Sequence, residues 1–356
     1  MIRVHGHPPL QKTFKRLSDA KVWAQETELH MRRGDFRPAA TEAKKRTLRD
    51  VIEKYRREIL LHKSPNSQRA ENTYIKFWDR ELGNYSLSFL TPDLISKKID
   101  LLSRAGDQRW HMKDPRHPLK PKSRKTLKLY RDNLEIMLKH AQSWGWLGKS
   151  SPMEGVTRIT KANKERVRFL NDEERQALLA ACKESPNPQL YPIVVFALCT
   201  GARKNEILKL SLNDLNLERR VAILRETKNG ETRKVPIVGY LMDVLKAHLD
   251  WREAQTKELP EGSKYLFPRR DGHQPIDIRK AWENARSEAQ ITDFRFHDLR
   301  HSAASYLAMN GASQLEIAEV LGHKTLQMVK RYAHLSEDHT RSVVEEMARK
   351  IFKVAD

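Results

Sequence analysis

Tyr332, in the stretch KRYAHL, carries a hydroxyl able to attack phosphorus, and the chain also holds the groups such an attack needs. A phenol has a pKa of ~10, so forming the phenolate at pH 7 costs about 4 kcal/mol unless neighbours help. The imidazole of His297 in HDLRH suits the task of taking that proton, because its ordinary pKa lies near the working pH. Attack on a phosphodiester also builds negative charge on the non-bridging oxygens, which calls for fixed cations and hydrogen-bond donors aimed at them. Arg203 in TGARKNEIL and Arg300 in HDLRH are the candidates for that clamp, since a guanidinium is always charged and its planar fork matches phosphate. His323 in LGH reads as a donor to a phosphate oxygen. Glu206, one turn after Arg203, is expected to pair locally and fix that arginine. His301, four residues after His297, is expected to support the site from behind, and without a third ligand the two rings do not make a zinc site. A phosphotyrosine would retain the energy of the ester it replaces, so this chemistry calls for neither metal nor ATP, and no cofactor is expected.

These groups need a scaffold that brings them together. Asn171, with Glu174 three residues on, opens a capped helix over NDEERQALLAAC, and the apolar YPIVVFALCTG follows as a second helix. A short helix starts from Arg203. RVAILRETKNGETRKVPIV alternates on both sides of Asn229 and Gly230, which predicts a tight β-hairpin. Helices are expected to resume at about Leu241, Ile278, His297, Leu315, Leu326 and Arg341. Upstream, residues 47 to about 147 read as helical throughout, ending in KSRKTLKLYRDNLEIMLKHAQSW, where Leu127, Tyr130, Leu134, Met137 and Ala141 share a core-facing stripe. Arg124, Lys128 and Arg131 form a second stripe on the same helix, and are candidates for DNA phosphate contact. The stretch 149–168 is basic and broken by small residues, a linker whose Arg158, Lys161 and Lys164 could lie along phosphate. Residues 1 to about 45 read as a small β-then-α unit, with a helix capped by Ser18 and ended by Gly34.

Five stretches, TGARKNEIL, TKNG, HDLRH, LGH and KRYAHL, occur in this order over about 165–356 and together closely resemble the motif set of the tyrosine recombinase, or phage integrase, family. The resemblance implies a mainly α fold with small β elements, a two-domain C-shaped DNA clamp. Its parts would be a helical core-binding domain at 46–150, a basic linker at 151–168 and a mixed α/β catalytic domain at 169–356. Residues 1–45, around KTFKRLSDAKVWAQETE, are similar to the arm-type DNA-binding module of prophage integrases, with the first strand short or absent. It implies cleavage and rejoining of duplex DNA through a 3′-phosphotyrosine, with Lys228 at the hairpin turn protonating the leaving oxygen and Lys234 its substitute. It further implies a homo-tetramer on two synapsed sites, with accessory DNA-bending or directionality proteins. Val343, Met347 and Ile351 make an apolar stripe on the terminal helix, which either packs on its own domain or docks on a neighbouring subunit.

Composition agrees with a polyanionic partner. Lys and Arg number 67 against 46 Asp and Glu, a formal net charge of +21 and a sequence pI of about 9.9 over 356 residues. The excess is spread along the chain and not gathered in one amphipathic helix, which favours double-stranded DNA over a membrane surface. With no apolar run long enough to span a bilayer and no signal-peptide core, the expected location is the cytoplasm, in association with the nucleoid. Cys182 and Cys199, both in apolar stretches, are expected as buried free thiols. His5, His7, His111 and His117 lack the Cys or carboxylate partners of a metal site. Three rivals share some of these features: a type IB topoisomerase, a non-catalytic DNA-binding protein of the same fold, and a metal-dependent nuclease. The last would need more converging carboxylates than Asp293 and Asp298.

Overall fold

The computed structural model describes residues 1–4, 11–32, 38–106, 121–160, 168–225, 232–254 and 263–352. The chain divides into two compact units, Met1–Lys164 and Glu165–Asp356. Helices dominate both, and among the described residues none is long and apolar enough to cross a membrane.

The first unit contains α1 (Leu17–Arg32), α2 (Pro38–Lys45), α3 (Leu48–Glu58), α4 (Pro65–Leu82), α5 (Pro92–Arg104) and α6 (Arg124–Ser143). Ser18 lies inside the first turn of α1 and bonds Asp19, so it does not act as the expected cap. Gly34 lies outside the described residues, and residues 1–4 and 11–16, which are described, form no strand ahead of α1. Local signals set the later helices. Thr47 and Asp50 form a capping box on α3, Ser64 and Thr91 cap α4 and α5 ahead of a proline, and Ser123 caps α6. Leu48, Val51, Ile52 and Tyr55 recur at helical spacing on α3 and meet Trp78 and Leu82 of α4 and Leu134, Met137 and Ala141 of α6 in one core. Trp78 fits there because its indole N–H donates to the Tyr130 carbonyl at 2.9 Å.

The basic stripe of α6 is not uniform. Arg124 and Lys128 are exposed, Lys128 against Asp132. Arg131 departs from the expected phosphate-facing role: it is 5% exposed, and its guanidinium is bound to Glu135 at 2.7 Å and to Asp132 at 3.2 Å. It falls at the edge of the apolar stripe, next to Tyr130 and Leu134, where burial brings a guanidinium to the nearest carboxylates. Arg158 is exposed, while Lys161 and Lys164 lie outside the described residues.

The second unit is built around α8 (Leu190–Thr200), buried along most of its length and flanked by α7 (Asp172–Lys183) and α10 (Tyr240–Ala254). Each fully buried apolar side chain there contributes roughly 1.5–3 kcal/mol, which lets this core carry the cost of polar groups buried beside it. The expected Asn171–Glu174 capping box opens α7. Cys182 is buried, whereas Cys199 is exposed, because it falls on the outer side of α8. After the short α9 (Lys204–Leu208) comes an antiparallel sheet of β1 (Leu215–Asn216), β2 (Val221–Leu224) and β3 (Arg233–Pro236), in that order. Leu224 pairs with Arg233 and Ile223 with Lys234, while the Asn229–Gly230 turn between them lies outside the described residues. The chain then forms α11 (Arg279–Glu288), α12 (Asp298–Met309), α13 (Gln314–Leu321) and α14 (Glu337–Phe352). The helix expected from Leu326 is instead two short 3-10 segments, Leu326–Met328 and Lys330–Ser336, the second packed on α12. Val343, Met347 and Ile351 on α14 are exposed.

Candidate active site

Two left-handed glycines shape the backbone on which the site is assembled. Gly201 ends α8 at φ +60°, and a Cβ there would lie 2.2 Å from Leu321 Cδ2; Gly322 ends α13 at φ +66°, where a Cβ would meet Arg233 Cδ at 2.7 Å. The close packing aims two backbone carbonyls inward. Arg300, on the first turn of α12 and 4% exposed, donates through Nη1 to the Gly201 carbonyl at 2.7 Å and through Nη2 to the Leu321 carbonyl at 2.6 Å. One guanidinium thereby ties the ends of α8 and α13 to α12.

Arg203 stands at the start of α9, directly after the Gly201 turn. Its Nη1 donates to Glu206 Oε1 at 2.6 Å and its backbone N–H to Glu206 Oε2 at 3.0 Å, the local pair expected from the sequence. Arg233 reaches the same carboxylate from β3, through Nη2 at 3.3 Å, while its Nη1 donates to the Val320 carbonyl. Burial would raise the Glu206 pKa, but donors from the Arg203 backbone and side chain, with the charge of Arg233, hold it below the usual carboxylate value. Arg300 is pushed down to about 9 by burial first and then by Arg203 and Arg233, and so remains cationic at neutral pH. The result is a cluster in which Glu206 offsets part of the charge of three guanidiniums, leaving a positive field in a poorly solvated place.

Arg233 joins this cluster from outside the five motif stretches. A signal existed: strand alternation places Arg233 with the buried Val235 and against the exposed Lys234. Lys234, the expected substitute for Lys228, therefore points away from the face that holds Arg233. Lys228 lies outside the described residues.

Tyr332 is 1% exposed, packed with Leu321, Val329, Ala304 and Ala308. Its hydroxyl is bonded at 2.5 Å to Nδ1 of His301, the ring assigned only a supporting place by the sequence reading. His297 stands one turn earlier, exposed at the start of α12, with its ring 5.5 Å from that of His301. Both lie on one side of the helix because they are four residues apart, and the packing of Lys330–Ser336 decides which meets the phenol. Burial raises the Tyr332 pKa, and the charges of Arg331 and Arg300 oppose the rise. His301 is pushed down to about 4, by burial first and then by His297, so its ring is neutral at pH 7. Desolvation, then the charge of Arg300, also lowers His297.

His323 follows Gly322 and is anchored by its backbone N–H to the Ala318 carbonyl at 2.8 Å. Burial and then the charges of Arg300 and Arg203 push its ring down to about 4. Its Nδ1 is buried with no hydrogen-bond partner among the described residues, a costly arrangement unless a ligand supplies one. Among the described residues there is no cluster of three metal-ligating side chains.

Arg203, Arg233, Arg300, His297, His301, His323 and Tyr332 are thus carried by one unit, through α9, β3, α12 and the turns after α13. Residues 168–339, which hold all of them, match the phage integrase family. The chain is 28% identical to the integrase of Salmonella phage P22 over 368 residues, covering 96% of this chain and 90% of that one. It is 32% identical to the integrase of Haemophilus phage HP1 over 211 residues, 58% of this chain and 54% of that relative. In fold it is similar to the Tn1549 transposon integrase solved in complex with transposon right-end DNA, with a TM-score of 0.63 and 18% identity over 85% of this chain and all of that one. Residues 168–339 thus carry a phage integrase family domain, and the relatives that the chain resembles are integrases and recombinases.

Proposed function

We propose that this protein is a site-specific DNA recombinase that breaks and rejoins duplex DNA through a covalent bond between Tyr332 and a 3′ phosphate. The observation that carries this reading is the Tyr332 hydroxyl, fixed by a neutral imidazole on the same helix as Arg300 and within the field of that guanidinium. A buried phenol in an apolar wall would need no such surroundings. Here the cations favour the phenolate and the charge that develops on a phosphate under attack.

In this mechanism Arg203 and Arg300 hold the scissile phosphate, with Arg233 and Glu206 keeping Arg203 in place. His323 donates to a phosphate oxygen, and phosphate satisfies the polar atom that the fold leaves unpaired. Lys228 protonates the departing 5′ oxygen, whose conjugate acid would otherwise have a pKa near ~15.7. A second 5′ hydroxyl then attacks the phosphotyrosine and reverses the step on another strand, so no metal or ATP is consumed. Both units contact DNA, with Arg124, Lys128, Arg158, Lys161 and Lys164 along the backbone. Four copies act on two synapsed duplexes, assisted by DNA-bending or directionality proteins.

The test is to trap the adduct on genomic DNA fragments in excess EDTA and to sequence the attached ends. One recurrent sequence joined to the wild-type protein, and none joined to Tyr332→Phe, is the expected result. An adduct that persists in Tyr332→Phe overturns the assignment of the nucleophile. A plasmid with paired copies of the recovered sequence then yields exchanged products; relaxation of any supercoiled plasmid without exchange would instead indicate a topoisomerase.

A further inference from the structure

His297 is the imidazole expected to take the phenolic proton, but the fold puts another ring on that hydroxyl. We propose that His301 is the catalytic base of this site, accepting the Tyr332 proton at Nδ1, an inference that rests on the recombinase reading above. The geometry is direct. Nδ1 lies 2.5 Å from Oη, so no rearrangement of the ring is needed to receive the proton. Among the described residues His301 is the imidazole bonded to the phenol: His297 begins the helix one turn away, and the Nδ1 of His323 is without a partner.

The surroundings set both its protonation state and its limits. His297, Asp298 and Arg300 bear on the ring from its own helix, and Arg331 and Tyr332 from the Lys330–Ser336 segment. Burial and the neighbouring cations keep the ring neutral, which a base requires. A scissile phosphate brings negative charge beside Arg300 and draws the ring back toward its ordinary strength, so the base gains its power when substrate is seated. In the step itself the Oη–H bond breaks and an Nδ1–H bond forms as the Oη electron pair attacks phosphorus. The P–O5′ bond breaks, and O5′ leaves with a proton from Lys228. On rejoining, a 5′ hydroxyl gives its proton to the now neutral Lys228 amine as its oxygen attacks phosphorus, the P–Oη bond breaks, and the imidazolium returns its proton to the phenolate.

The test is a single-turnover measurement of adduct formation between pH 5 and 9, on a nicked duplex oligonucleotide carrying the sequence recovered from the trapped ends. His301→Gln can still accept a hydrogen bond but cannot take a proton. It is expected to lower the plateau rate by about 10²–10⁴-fold, and its log rate is expected to keep climbing with pH as hydroxide substitutes for the base. His297→Gln is expected to slow the reaction without acquiring that slope. A 5′-bridging phosphorothiolate, whose sulfur leaves without a proton, is expected to leave the His301→Gln defect in place. A His301→Gln rate within threefold of wild type, a loss that keeps the wild-type pH profile, or rescue by the phosphorothiolate each overturns the proposal. His301→Asn replaces it where glutamine lowers the melting temperature of the protein. Tyr332→Phe run in parallel separates the two readings: an adduct there sinks the recombinase mechanism, whereas its absence beside a wild-type-like His301→Gln sinks only the base.

Discussion

Tyr55 in the first unit and Tyr332 in the second are both buried with the hydroxyl hydrogen-bonded to a side chain, and they differ in what surrounds that oxygen. In the first unit Tyr55 donates to Glu71 at 2.7 Å and accepts from Lys63 at 2.8 Å, and Lys63 also bonds Glu71 at 2.6 Å. That triangle is closed and charge-balanced: every polar group has a partner, and nothing is left to bind a ligand. In the second unit Tyr332 meets one neutral imidazole, the charges that act on it are cationic, and a buried histidine nitrogen lacks a partner among the described residues. Burial raises both phenols, but at Tyr55 the opposing effects of Lys63 and Glu71 act together, whereas at Tyr332 only cations oppose it. The lesson is that burial of a tyrosine says little about reactivity; the unbalanced charge around it says more.

The most decisive break between the two is at the hydroxyls themselves. Tyr332→Phe is expected to reduce covalent adduct to background while DNA affinity stays within a few-fold, and Tyr55→Phe to leave adduct formation in place, both read on denaturing gels. Next comes the clamp: Arg300→Lys loses the fork that spans the Gly201 and Leu321 carbonyls and is expected to slow adduct formation by roughly 10²–10³-fold in single-turnover kinetics.

The carboxylates sharpen the contrast in stability. Glu206→Gln leaves Arg203 and Arg233 buried without their counter-charge, and urea unfolding is expected to show a loss of about 3–5 kcal/mol. Glu71→Gln, in the half-buried triangle, still accepts hydrogen bonds and is expected to cost about 1–3 kcal/mol.

Stability against pH gives a smaller effect. His301 and His323 titrate near 4 when folded against an ordinary value of 6.5, so the unfolded chain binds more protons between those limits. Stability should therefore fall as pH drops from 6.5 toward 4, and His323→Gln should flatten that fall in urea midpoints; an equal slope in the variant would argue against a buried neutral ring. Glu206, held low, keeps its contribution above the usual carboxylate range and loses it only as pH falls through its depressed value. The smallest effect is at the surface of α6. Lys128→Ala is expected to reduce the salt slope of DNA binding by about one, whereas Arg131→Ala should act on folding and leave that slope alone.

Much of this architecture was legible in the residues. Caps at Thr47, Ser64, Thr91, Ser123 and Asn171 and the apolar stripes of α3 and α6 are local signals, dictated by a few neighbours in the chain. The Leu326 stretch misled because its pattern resembles a helix, while the fold uses it as 3-10 turns that lay Tyr332 across α12. Arg131 misled because a charged stripe and a core edge overlap on one helix, and only packing shows which side a long side chain takes.

By itself the sequence determined the inventory: a phenol, guanidiniums, imidazoles and a strong positive charge, in an order and spacing that point to phosphoryl transfer. Tertiary structure alone decided which members of that inventory meet. His297 and His301 share a helical side at four-residue spacing, and the phenol reaches the second only because the segment carrying it crosses the helix at that turn. Arg233 enters the cluster from a strand 27 residues after Glu206, a distance at which no local pattern records the contact. Helix and strand periodicity fix which side of an element a residue occupies, but the partner on that side is set by how elements pack, and that is a property of the whole core.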